Sequence, residues 1–270
     1  MSIDLDNIDP QFIDTDFRQQ PQYTFGDLGP KAFKSYANFA DVVPDIPESE
    51  WLELADKMKA AGGGLTQLVT RICNQKQEGS CVANAIIQSH EIKQAEQFGR
   101  DKVVHLSAIS LYKRIGSSPS SGAMVDDGGE ELVSRGAVPL DTPENRTRFG
   151  NIVMPHTGFY TPYPSGWEAV AKQFAGHEWY AIRTVNSLIT ALFKGSPVVV
   201  GRQGHSICYC DPVYKNGQLN AIYANSWDYS WGFAAGSMIG GFGLDSLSLI
   251  RQSAQWAFVL RSVVVPEGTP

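Results

Sequence analysis

Cys81, His205 and Asn225 are the residues whose types and order could carry out covalent chemistry. Cys81 follows the turn formers Gly79 and Ser80 and opens a segment with a helical pattern. A thiol at a helix N-terminus feels the positive end of the backbone dipole, which lowers its pKa toward the reactive thiolate. His205 lies 124 residues further on, after Gly204 and at the head of a strand-like run, and Asn225 lies another 20 beyond. Cysteine, then histidine, then asparagine is the order of a Cys–His–Asn triad. The thiolate attacks a carbonyl, the imidazole holds the thiol proton and later gives it to the leaving amine, and the amide orients the ring without adding a competing charge. Each residue alone has a plainer reading. A free cysteine is usually a small core residue, a lone histidine is usually structural, and Asn225 could simply start a turn before two packing aromatics, Trp227 and Trp231. Only their joint order points to chemistry.

These residues need elements to hold them. Residues 80–97 read as a helix: Ser80 can cap it, and Ala83, Ala85, Ile86, Ile87 and Ile92 form its apolar side. Further helices are expected at Glu48–Ala60, Ser107–Ile115, Gly128–Ser134 and Asn186–Lys194, the last capped by Asn186 and stopped by Gly195 and Pro197. Residues 117–122 form a loop. After Pro197 the pattern changes. Pro197–Gly201, His205–Cys210, Leu219–Ala224 and Trp256–Val265 read as strands, with Asn216-Gly217 as a hairpin turn. Helices dominate the first half and strands the second, an α+β chain of two unlike lobes. Residues 1 to about 48 stand apart: Pro10, Pro21, Pro30, Pro44 and Pro47 interrupt any long helix, so this stretch reads as an extended arm or pro-segment.

Bulk properties exclude several classes. The chain has 270 residues, 43% hydrophobic and 19% charged, which fits a globular protein with a real core. Its net charge of −6 argues against a nucleic-acid partner. No apolar run is long enough to span a bilayer, and the acidic N-terminus has no apolar signal core. Cys73, Cys81, Cys208 and Cys210 are too sparse for a disulfide scaffold and are read as reduced. The expected setting is intracellular or virion-associated. Strand alternation puts Cys208 and Cys210 on one face and His205 on the other, too few ligands for a structural metal site; no metal and no cofactor is expected.

The motifs resemble those of papain-family (C1-type) cysteine peptidases over about residues 62–265. NQKQEGSCVANA (74–85) resembles the nucleophile segment, in the style of bacterial and viral members that read GSC-x-A-N-A. LSAISLY (106–112), GGEELVSRGAVPLDTPEN (128–145) and GHSICYC (204–210) resemble the segments that follow, and NSWDYSWG (225–232) resembles the family's NSWGxxWG. The resemblance implies an arm over 1–60 and a papain-like domain over 61–270, with a helical lobe to about 150, a barrel-like β lobe after it, and a substrate cleft between them. It implies Cys81 as nucleophile, His205 as base and acid, Asn225 as orienter and Gln75 as the oxyanion-hole amide. It also implies Trp227 as the ring that shields the His–Asn bond from water, and Ser121-Gly122 near the substrate-binding stretch.

Four positions depart from that pattern. Val82 stands where a tryptophan is usual and Glu78 where many members have a disulfide cysteine. Lys76 replaces a glycine, so a positive φ there would be strained. The strand ending at Gly201 reaches His205 in four residues, where relatives have a longer excursion that builds one side of the cleft. That side is then open or rebuilt from elsewhere, and the arm is a candidate. Two functions follow: hydrolysis of peptide or protein substrates through a Cys81 thioester, or a papain-like structural subunit, for example of a viral particle, that contacts a partner through residues 1–48. They differ in where the arm runs, into the Cys81–His205 cleft or away to another chain. A cleft filled by the chain's own residues supports the structural reading.

Overall fold

A computed structural model describes residues 3–20, 22–29 and 36–264. Pro21, Pro30 and Val265, singled out above, lie outside the described residues. In chain order the elements are α1 (Trp51–Ala60), α2 (Cys81–Phe98), α3 (Ala108–Ile115), α4 (Val125–Arg135), α5 (Pro143–Phe149), α6 (Trp167–Ala171), β1 (Gly176–Ile182), α7 (Val185–Phe193), β2 (Val198–Arg202), β3 (His205–Lys215), β4 (Gln218–Ala224), β5 (Phe233–Ala235), β6 (Met238–Ser246), α8 (Leu247–Ser253) and β7 (Ala257–Val263). The strands form one antiparallel sheet of seven in the order β1-β7-β2-β3-β4-β6-β5. The fold is α+β, with a helical half, a β-rich half and an extended N-terminal arm.

Two apolar cores flank the central helix α2. Ile86, Ile87, Leu111, Tyr112 and Leu132 fill the helical core. Val198, Val200, Ile207, Tyr209, Ile222, Tyr223 and Phe242 fill the core of the sheet. Because α2 is wedged between the two, it is buried all round: every residue from Cys81 to Ala95 is buried, polar Asn84, Gln88, His90, Glu91 and Gln94 among them. The expected hairpin turn is present: Asn216 (φ 51°) and Gly217 (φ 72°) join β3 to β4.

Two expected caps are not made. The Ser80 side chain takes no capping bond; instead its carbonyl and hydroxyl oxygens both accept from Asn84 Nδ2, one turn into the helix. Thr184, not Asn186, caps α7, its hydroxyl accepting from the Ser187 N–H at 3.1 Å. α4 starts three residues earlier than expected, at Val125.

The arm is a series of short 3₁₀ turns capped by Asp4, Asp9 and Asp16, each accepting from the N–H two residues on. The acidic residues at this end therefore build local turns. The turns carry Ile8, Thr15 and Phe17 into buried positions against the sheet.

Candidate active site

Cys81 is the first residue of α2, His205 the first of β3, and Asn225 follows the end of β4. The pairing of β3 with β4 sets Asn225 beside His205, and Asn225 Oδ1 meets His205 Nε2 at 2.7 Å. The amide oxygen accepts, so Nε2 carries the proton and Nδ1 presents its lone pair. Nδ1 is buried with no hydrogen-bond partner. Trp227 stacks on the imidazole with centroids 4.6 Å apart, which keeps water from this side of the His–Asn bond.

The Cys81 sulfur faces the backbone N–H groups of Ser206, Gly26 and Val82. No hydrogen bond joins it to His205. Burial is complete at both groups. It pushes the Cys81 thiol up to about 12, with nearby Asp27 adding to the rise and the backbone N–H groups opposing it. Burial likewise pulls His205 down to about 3, helped by Arg202 and opposed by the bond to Asn225. The helix dipole alone predicts a lowered thiol pKa; burial outweighs it. Thiol and imidazole are both neutral in this state.

Gln75 lies on the turn before α2, fully buried. Its N–H donates to the Ser226 carbonyl at 2.9 Å and its Oε1 accepts from Ser226 Oγ at 2.6 Å, which leaves Nε2 turned to the cleft. Lys76 does have a positive φ, 51°, with its N–H held by Asn74 Oδ1. Glu78 staples the same turn by accepting from the N–H groups of Gly158 and Phe159, both at 2.9 Å.

The arm enters this site. Gln75 Nε2 donates to the Thr24 carbonyl at 2.8 Å. Tyr23 lies flat on Trp227, centroids 4.0 Å apart and planes 3° from parallel. The N–H groups of Gly26 and Asp27 donate to the Gly204 carbonyl. Ala123 N–H donates to the Gly26 carbonyl at 2.6 Å, and the Leu28 N–H donates to the Ala123 carbonyl at 3.0 Å, a parallel bridge. Gly26 fits because it has no side chain: a Cβ there would overlap the Gly79 carbonyl, and one on Gly122 would overlap Gly26. Residues 22–29 thus plug the cleft.

Sequence reasoning brings Cys81, His205, Asn225, Gln75 and Trp227 into one place. Beside the expected Ser121-Gly122 stretch, the pairing with the arm falls on the next residue. Ala123 makes the strand-like bonds, Gly122 provides the clearance, and Ser121 Oγ turns away to accept from Ser117 and Ser118 N–H groups. It misses His156, whose Nε2 meets Asn84 Oδ1 at 2.8 Å and so steadies the Ser80 turn under Cys81. It also misses Arg71, which contacts His156 Nδ1 and pairs with Glu91. No spacing rule connects residues 71, 84 and 156.

No family model matches the sequence, and no curated protein matches it. Solved structures do share its fold. Xylellain, a cysteine protease from Xylella fastidiosa, is similar with a TM-score of 0.60 and 17% identity over 90% of this chain and 97% of that one. Digestive procathepsin L 3 of Tenebrio molitor gives 0.54 and 18% over 73% and 67%. The proCathepsin B S9 of Trypanosoma congolense gives 0.52 and 12% over 92% and 88%. The chain therefore has the fold of papain-like cysteine proteases, with its own residues 22–29 lying across the cleft.

Proposed function

We propose that this chain is a latent papain-like cysteine peptidase. Cys81 is the nucleophile, His205 its base and acid, Asn225 the orienter and Gln75 an oxyanion donor. One observation carries the reading: His205 Nε2 is bound to Asn225 Oδ1 at 2.7 Å while Nδ1 keeps a free lone pair. That is the tautomer a base needs to accept the thiol proton. Once the plug leaves, water and the helix terminus favour the thiolate and imidazolium. The thiolate adds to a peptide carbonyl, the Gln75 amide and the Cys81 N–H stabilise the oxyanion, and His205 protonates the leaving amine. Water then hydrolyses the thioester.

A second reading, a papain-like subunit without peptidase activity, is favoured by the filling of the cleft by residues 22–29. The motif style suggests a bacterial or viral setting for either. Alkylation separates the two. After the plug is displaced, Cys81 should react with iodoacetamide or an epoxide at least tenfold faster than a free thiol, and His205→Ala should abolish the excess. Ordinary reactivity indifferent to His205 would sink the peptidase reading.

A further inference from the structure

The arm touches the site in two places, and the two contacts differ in kind. The β2–β3 connection is a tight turn, Gln203-Gly204, with φ of 56° and 79°. Nothing in that turn reaches over His205, so another segment must cover it. Residues 12–17 do so. Phe17 is fully buried. Its ring meets His205 edge-on at 4.7 Å and Trp227 at 5.2 Å. The Arg202 guanidinium lies over the same ring, 4.0 Å from its centroid.

This segment is tied to the β-rich half along most of its length. Phe12 packs edge-on against Trp231. Ile13 bridges to Leu244 in β6, and the Asp14 N–H donates to the Leu244 carbonyl. Asp14 Oδ1 accepts from the Ser246 N–H at 2.6 Å. Arg202 Nη1 donates to the Thr15 carbonyl at 2.9 Å, and the Phe17 N–H donates to Gln203 Oε1 at 2.9 Å. The plug is held mainly through its main chain: Gly26 is its one buried residue, Tyr23, Thr24 and Phe25 are half-buried, Leu28 is exposed, and the Phe25 ring meets His205 edge-on only at 6.3 Å. Between wall and plug, Arg18 and Gln19 are exposed.

We propose that the arm is two separable devices. Residues 12–17 are a permanent wall of the working site, with Phe17 a positioning residue for His205, and only residues 22–29 leave on activation. This rests on the peptidase reading. Phe17 touches neither Cys81 nor a peptide carbonyl held by Gln75. It acts by fixing one edge of the imidazole and by excluding water that would otherwise solvate the ring.

Gly26→Val supplies the background for a test, because a side chain there cannot pass between Gly79 and Gly122 and the plug must lift. Peptide hydrolysis and Cys81 alkylation are measured first in the full-length chain, then in one lacking residues 1–20. Gly26→Val should raise both at least tenfold. Adding Phe17→Ala should lower kcat at least tenfold, change KM less than threefold and move the histidine limb of the pH–rate profile toward the ordinary value. Phe17→Leu should restore most of the kcat. A Gly26→Val chain lacking residues 1–20 should be equally impaired, and a synthetic peptide of residues 3–20 should restore it saturably. The peptide arm of the test stands even if Phe17→Ala melts without cooperativity. Hydrolysis indifferent both to Phe17 and to loss of residues 1–20 would overturn the wall while leaving the peptidase intact. A fast-alkylating Gly26→Val chain that hydrolyses no peptide would overturn the peptidase reading itself.

Discussion

Gln75 Nε2 donates to the Thr24 carbonyl at 2.8 Å, so the amide proposed to bind an oxyanion is already occupied by the chain's own backbone. The same nitrogen also donates to the Glu78 carbonyl at 2.8 Å, which holds the carboxamide in place whether or not the arm is present. Pre-organisation of this kind is what makes an oxyanion donor effective.

Gln75→Ala should therefore have two opposite effects. In the plug-displaced Gly26→Val background it should cut kcat by roughly 10²–10³, the usual loss for one oxyanion donor. In the parent chain it should raise the alkylation rate of Cys81, because the plug loses a hydrogen bond. Steady-state kinetics on the first and thiol labelling on the second check both. An unaltered kcat removes Gln75 from the mechanism.

Latency should depend on pH through Asp27. Burial against the cleft raises its carboxyl to about 6 from an ordinary 3.8; a nearby Asp126 adds to the rise and the N–H of Gly29 opposes it. A raised carboxyl pKa in the docked state means docking binds a proton. Docking is therefore strongest below about pH 4 and weakens as pH rises through about 6, by roughly 2–3 kcal/mol in all. Cys81 labelling measured from about pH 4 to 7.5 should rise more steeply in the parent than in Asp27→Asn, whose plug carries no titrating group at that position. Parallel curves would exclude Asp27 as the cause.

The proposed triad is legible in the sequence because its three members sit at element ends with marked local chemistry: a Gly-Ser turn before Cys81, a glycine before His205, an aromatic-rich turn after Asn225. The plug is not. Gly26 is held by Gly79, Gly122, Ala123 and Gly204, none of them near it in sequence, and main-chain pairing of this kind leaves no periodicity to read. β6 was missed for a related reason. Its Gly240, Gly241 and Gly243 disfavour a strand by propensity, yet side chains at these positions would collide with the Tyr229 carbonyl, Ile72 and the Tyr223 ring. The direction of the Cys81 pKa was likewise out of reach, since it depends on which segment covers the thiol.

Lys76 is a test of local strain. Its φ of 51° lies in the left-handed region, which costs a residue with a Cβ about 1 kcal/mol or more. Lys76→Gly relieves this but loosens the unfolded chain, so it should change stability by less than about 0.5 kcal/mol. Lys76→Val should destabilise by roughly 1–2 kcal/mol, since a β-branched residue tolerates this region worst. Denaturant melts at constant m-value decide. A stabilising Lys76→Val would mean that the turn does not hold this conformation.

The Arg202–Asp245 pair joins β2 to β6, and Arg202 reaches the arm through the Thr15 carbonyl; the pair offers the strongest prediction for stability. Arg202 makes two charge-assisted bonds to Asp245, at 3.0 and 2.9 Å, and both side chains are almost wholly buried. Tyr209 adds a third donor to the carboxylate at 2.6 Å. Removing the acid alone strands a buried guanidinium, so Asp245→Ala should cost roughly 3–5 kcal/mol. Replacing both charges with apolar groups removes the desolvation penalty along with the attraction, so Arg202→Met with Asp245→Leu should fall within roughly 1–2 kcal/mol of the parent. That double variant still lacks the bond from Arg202 to the Thr15 carbonyl and the cation over Phe17. It should fold well and yet expose the arm to trypsin at Arg18 faster than the parent does. Calorimetry gives the coupling of the pair, and the trypsin rate reports the arm separately. If Asp245→Ala is no less stable than the double variant, the buried charge is not stranded and the ion pair does not hold this face together.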